Sequence, residues 1–265
     1  MSAVPLKRRV LGRTGHPVPP VMWDLRMESI DSAHFLETAQ SAAEVGAEWF
    51  IIDGGVGVGE VEMLTQQLLA IPSATVVLGL DAADFVTHTR RAETARMEAI
   101  RPVMCAAVMV QNATAAELRS IALFNRLAPL QDAGDCHFMF VAAANAGDAT
   151  WMIEHSPVAA VMAPFGLADQ TAGYRALPAA REHGMGLIAR RPTVAVWHAH
   201  AAPTAAEDIA FVLAFGEVAS VVESFPRDRE ELYAVLAALR RPMTEQERLH
   251  WWIGFSQQVP EPVAG

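Results

Sequence analysis

Two carboxylates stand at the ends of a glycine-rich stretch, Asp53-Gly-Gly-Val-Gly-Val-Gly-Glu60. Carboxylates that share a pocket can divide acid and base work between them, because their surroundings push their proton affinities apart. The glycines lack both the Gly-x-Gly-x-x-Gly register and a following Lys-Ser/Thr, so they do not read as a phosphate loop. They read instead as a flexible connection from a strand to a helix. Trp197-His-Ala-His200 has the spacing with which two imidazoles of an extended segment share a metal ion. No further ligand spacing accompanies it, so a polar loop is the reading taken and no metal is expected. A Gly-x-Ser-x-Gly nucleophile elbow is missing from the sequence.

The composition narrows the chemistry further. The 265 residues carry 30 acidic and 20 basic side chains, a net charge of −10, which argues against nucleic acid and anionic membrane surfaces as partners. Lys7 is the only lysine, and Tyr174 and Tyr233 are the only tyrosines. No apolar run approaches the roughly 18 residues that cross a bilayer. The beginning, Met-Ser-Ala-Val-Pro-Leu-Lys-Arg-Arg, lacks the long apolar segment of a signal peptide. A cytoplasmic location is therefore expected, with Cys105 and Cys136 as free thiols packed in the core.

The elements that must position these groups follow from patterning. Short apolar runs recur at Val21–Asp24, Trp49–Asp53, Ala74–Leu80, Val103–Val110, His137–Ala142, Val158–Ala163, Gly186–Ala189 and Val218–Val222. They are continuously apolar, as parallel strands covered on both faces must be, and helical patterns separate them. Thr114-Ala-Ala-Glu117, Thr204-Ala-Ala-Glu207 and Thr244-Glu-Gln-Glu247 read as capping boxes, the last opening an additional helix. Ser32–Val45 carries an apolar face and stops at Gly46. One domain over residues 1–265 is expected, a (β/α)8 TIM barrel of the α/β class; an open doubly wound sheet is the alternative.

Ahead of the first run, Arg8-Arg-Val-Leu-Gly-Arg-Thr-Gly-His-Pro-Val-Pro19 resembles the N-terminal β-hairpin that closes the barrel floor of the aldo-keto reductases. Ala42–Asp53 is similar to the family's second strand, Gly59-Glu60 to the start of its second helix, and Leu177–Pro192 to its sixth helix and seventh strand. Ala210–Leu239 is similar to its last unit. The resemblance implies a tetrad in which a tyrosine protonates a carbonyl oxygen while a nicotinamide delivers hydride. A lysine lowers the phenol's pKa from about 10, an aspartate pairs with that lysine, and a histidine orients the carbonyl. Asp53 keeps the aspartate position, but Val58 stands where the tyrosine belongs. The third strand ends at Asp81 without a lysine, and Gln111 takes the histidine position.

The cofactor positions also depart from the pattern, with Val141-Ala142-Ala143 after strand five, Met162 after strand six and Glu223-Ser224 after strand eight. Ser224, Arg227 and Arg229 are what remains for a 2′-phosphate of NADP, unless the arginines pair with Asp228, Glu230 and Glu231. The expectation is a barrel without standard NADPH carbonyl reduction and with no bound cofactor. It would hold a small molecule, or run acid–base chemistry on Asp53, Glu60, Asp81 and Gln111. Two alternatives stay open: an NADPH oxidoreductase using Tyr174 as proton donor, and a non-catalytic partner of another protein. Trp23, Phe165 and Trp197 are expected at strand ends, lining the mouth or plugging it; Trp251 and Trp252 should anchor the extra helix.

Overall fold

The computed structural model describes residues 4–25, 32–82, 91–190, 204–241 and 243–256. A short hairpin, β1 (Arg9–Val10) and β2 (Pro17–Val18), precedes eight parallel strands. These are β3 (Val21–Leu25), β4 (Trp49–Ile52), β5 (Thr75–Asp81), β6 (Met104–Gln111), β7 (Phe138–Ala142), β8 (Ala160–Pro164), β9 (Gly186–Arg190) and β10 (Val218–Ser224). They pair in chain order, and β10 pairs with both β9 and β3, so the sheet closes into a barrel rather than remaining open. Every apolar run predicted as a strand is one, with ends shifted by two residues or fewer.

Side chains alternate along each strand between two apolar layers. Met22, Ile51, Val77, Met109, Phe140, Met162, Ile188 and Val222 share one cluster, which fills the barrel interior. Their neighbours Trp23, Phe50, Leu78, Val110, Val141, Val161, Leu187 and Val221 belong to the other, between strands and helices. Against that outer layer pack α1 (Ser32–Glu44), α2 (Val58–Leu68), α3 (Arg91–Ile100), the short α4 (Ala115–Leu118), α5 (Ile121–Asp132), α6 (Ala146–His155), α7 (Thr171–His183), α8 (Ala205–Leu213) and α9 (Arg229–Arg240). Among the described residues no helix is long and apolar enough to cross a membrane.

The hairpin closes the foot of the barrel, where Leu11 and Val18 are fully buried under the interior cluster. Gly12 has a φ of 46°, and a Cβ there would come within 2.1 Å of the Gly186 amide nitrogen, so the turn admits only glycine. The Arg9 guanidinium donates to the carbonyls of Val218 (2.7 Å), Leu213 (3.0 Å) and Phe215 (2.8 Å). It thereby ties the end of α8 to the beginning of β10. Lys7 lies in the same region, in a groove shared with Arg9, Pro20 and Leu213. At the other end of the chain, α10 (Glu245–Ser256) is anchored by Trp252, whose ring sits 5.5 Å from Phe215 and 6.0 Å from Phe211.

Thr114, Thr204 and Thr244 each accept from the amide three residues on, while the glutamate there returns a bond to the threonine amide. Those bonds hold the Glu117 and Glu247 carboxyls below the usual carboxylate range. Such a shift stabilises the fold above the ordinary glutamate pKa, and the gain is lost as pH falls through the lowered value. Glu247→Gln should therefore melt below the parent at pH 7, and thermal scans should show the difference vanishing as pH falls below about 4. Cys105 and Cys136 are free, and burial pushes the thiols up to about 12 and about 11. Iodoacetamide at pH 8 should leave both unlabelled in the folded chain and modify both in denaturant.

Candidate functional site

The inward alternation, continued by one step at the C-terminal end of each strand, decides which polar residues meet at the mouth. It brings Asp24, Asp53, Asp81 and Gln111 to one half of the rim, and Ala142, Pro164, Arg190 and Ser224 to the other. A cavity of about 520 Å³ opens there, lined by Asp53, Glu60, Gln111, Asn112 and Arg190 with Ala142 and its neighbours.

A hydrogen-bonded knot forms one wall of this cavity. The buried Gln111 Oε1 accepts from the Gly54 amide at 2.6 Å, joining the ends of β6 and β4. Gly79 of β5 lies beneath, where a Cβ would stand 2.5 Å from Gln111 Oε1 and 2.6 Å from the Gly54 nitrogen. Only a residue without a side chain lets the three strands converge. From α3, the buried Arg96 reaches the same place and donates to the carbonyls of Asp53 (2.7 Å), Gly79 (3.1 Å) and Val56. Asp53 Oδ1 accepts from the Gly55 amide and Glu60 Oε2 from the Gly57 amide, each at 2.8 Å, and the latter bond caps α2. The glycine stretch is thus pinned on several sides, which corrects its reading as a flexible loop.

Asp53, Glu60 and Gln111 all line the cavity. Asp81 does not line it; its Oδ2 accepts from Asn112 Nδ2 at 2.9 Å. Asn112 holds a left-handed φ of 55°, a conformation that asparagine tolerates better than most residues. Arg190 and Arg96 are the residues that sequence reasoning missed. Arg190 could have been found by counting two positions on from the inward Ile188. Arg96 carries no local signal, because its partners lie 17 to 43 residues away.

The three residues set aside for a phosphate do not line the cavity. Arg229 pairs with Glu37 of α1 at 2.7 Å. Glu231 Oε2 accepts from the Arg227 amide at 2.8 Å, and Asp228 Oδ1 from the Glu231 amide at 2.9 Å. The first turn of α9 is therefore covered by the chain's own carboxylates, and Ser224 is exposed beside it. Tyr174 is 58% exposed, its ring 4.8 Å from Trp252, and so lies outside the barrel. The fully buried Trp23 and Phe165 belong to the strand–helix layer, where the Trp23 indole N–H donates to the Ala47 carbonyl at 2.9 Å. Neither lines nor plugs the mouth. Trp197, His198 and His200 lie outside the described residues. Among the described residues, no three His, Cys, Asp or Glu side chains gather as a metal site.

Removing the arginine under the knot should free the loop. Arg96→Met is expected to cost about 3 kcal/mol in urea unfolding, since buried carbonyls lose a charged donor. Amide exchange should accelerate first at Gly55–Gly57. Parent-like exchange there would show that the loop does not depend on this guanidinium.

By sequence, no family profile and no curated protein matches the chain. By structure, it is similar to an aldo-keto reductase from Bacillus halodurans in its holo form, with a TM-score of 0.75, 13% identity, and coverage of 94% of this chain and 96% of that one. An aldo-keto reductase from Pseudomonas aeruginosa gives a TM-score of 0.73 at 15% identity, covering 91% and 98% of the two chains. One from Klebsiella pneumoniae in complex with NADPH gives 0.70 at 12% identity, covering 98% and 97%. A closed eight-stranded barrel floored by an N-terminal hairpin is the fold this chain has in common with the aldo-keto reductases.

Proposed function

We propose that this barrel is a soluble, cytoplasmic relative of the aldo-keto reductases that does not perform their hydride transfer. Instead it holds a small polar molecule in the mouth cavity, where Asp53 and Glu60 serve as an acid–base pair and Gln111 as a hydrogen-bonding contact. The observation that carries the reading is the position of the two tyrosines and the one lysine. Lys7 lies at the foot, Tyr174 packs on Trp252 outside the barrel, and Tyr233 lies beside Arg229 on α9. Neither phenol lines the cavity or lies beside the lysine that the tetrad pairs with it to lower a pKa of about 10.

The dinucleotide requirement gives further support. A phosphate at the start of α9 would meet the Asp228 and Glu231 carboxylates, which already accept from the Glu231 and Arg227 amides. What the chain itself supplies is a fixed pair of carboxylates. Each spends one oxygen on a loop amide, leaving the other without a hydrogen bond among the described residues. The Gln111 amide oxygen is likewise committed to Gly54, which leaves its NH2 group to face a ligand acceptor.

NADPH, which the similar Klebsiella pneumoniae protein binds, is the ligand to test. Titration followed by tryptophan fluorescence is expected to show no saturation up to about 1 mM. A panel of aldehydes with NADPH should give no turnover above the protein-free rate. Micromolar saturation with reduction of any aldehyde would overturn the proposal.

A further inference from the structure

Arg190 ends β9 with an exposed guanidinium at the cavity wall, and among the described residues no carboxylate pairs with it. Across the cavity the polarity reverses. Asp53 and Glu60 each present an oxygen that accepts no hydrogen bond among the described residues, and an ionised carboxylate can only be satisfied by donors. Ala113, Ala142 and Ala143 line the cavity with small side chains, beside the polar Gln111 and Asn112. The cavity therefore carries one guanidinium and two carboxylates on its lining.

We infer that the mouth binds a compact monocarboxylate bearing hydroxyl or ammonium donors at its far end. Its carboxylate is held by the Arg190 fork and its donors by Asp53 and Glu60. The inference rests on the small-molecule reading above and names the ligand class. A guanidinium matches a carboxylate with two parallel N–H···O bonds, which a neutral ligand cannot use. A second negative group would be driven against Asp53 or Glu60, so dicarboxylates are excluded by like-charge repulsion. The volume, about 520 Å³, lies in the lower half of the range for small-molecule pockets.

Calorimetric titration of the full chain tests this with gluconate as the hydroxyl-bearing probe and 4-aminobutyrate as the ammonium-bearing one. Succinate and sorbitol serve as the dianionic and neutral controls. At least one probe should bind with one-to-one stoichiometry, and both controls at least about 10-fold more weakly; which probe binds identifies the donor. Arg190→Gln should lose roughly 10- to 100-fold in affinity, with Arg190→Lys between it and the parent. Both variants should melt with the parent, since the side chain is exposed. Asp53→Asn with Glu60→Gln should narrow the discrimination against succinate.

Failure of both probes to bind below about 10 mM, parent-like affinity in Arg190→Gln, or equal binding of sorbitol would overturn the inference and leave the broader reading intact. NADPH-dependent aldehyde reduction would instead bring down the broader reading.

Discussion

The bond from the Gly54 amide to Gln111 Oε1 organises the mouth of this barrel. It spans from the end of β4 to the end of β6 over β5, and it is possible because Gly79 leaves the space between them empty. Once it is made, the course of the chain after Asp53 is set, and with it the start of α2 and the position of Glu60. Arg96 holds the same segment from the helix side through three carbonyls. A carboxamide neither gains nor loses a proton in the ordinary pH range. Where the aldo-keto reductase pattern has a titratable imidazole, this barrel has a fixed dipole.

The barrel was legible in the sequence for a physical reason. Parallel strands covered on both faces need unbroken apolar runs, and each run here is short, separate and followed by a helical pattern. The same continuity hid the alternation between interior and exterior. Trp23 and Met22 are both apolar and fully buried, yet they belong to different layers, so Trp23 was assigned to a mouth it never reaches. Arg190 stands two positions after the inward Ile188, and unbroken apolar runs conceal the alternation that would have placed it at the rim. The glycine stretch looked mobile because what restrains it comes from far along the chain, Gln111 57 residues and Arg96 up to 43 residues away.

Charge at the start of α9 illustrates how a binding feature can be satisfied from within. Helix N-termini attract anions, and two arginines next to one suggest a phosphate. Here Asp228 and Glu231 supply the negative charge, while Glu37 of α1 engages Arg229. The sequence signal was correct about the electrostatics of the helix end. It could not distinguish an outside ligand from a carboxylate three or four residues away.

By joining the C-terminal end of α8 to the root of β10, Arg9 fastens the floor hairpin to the ring's last strand, at the pole opposite the mouth. The bonds at the floor involve none of the rim side chains, so the two ends of the barrel are fastened by separate sets of contacts.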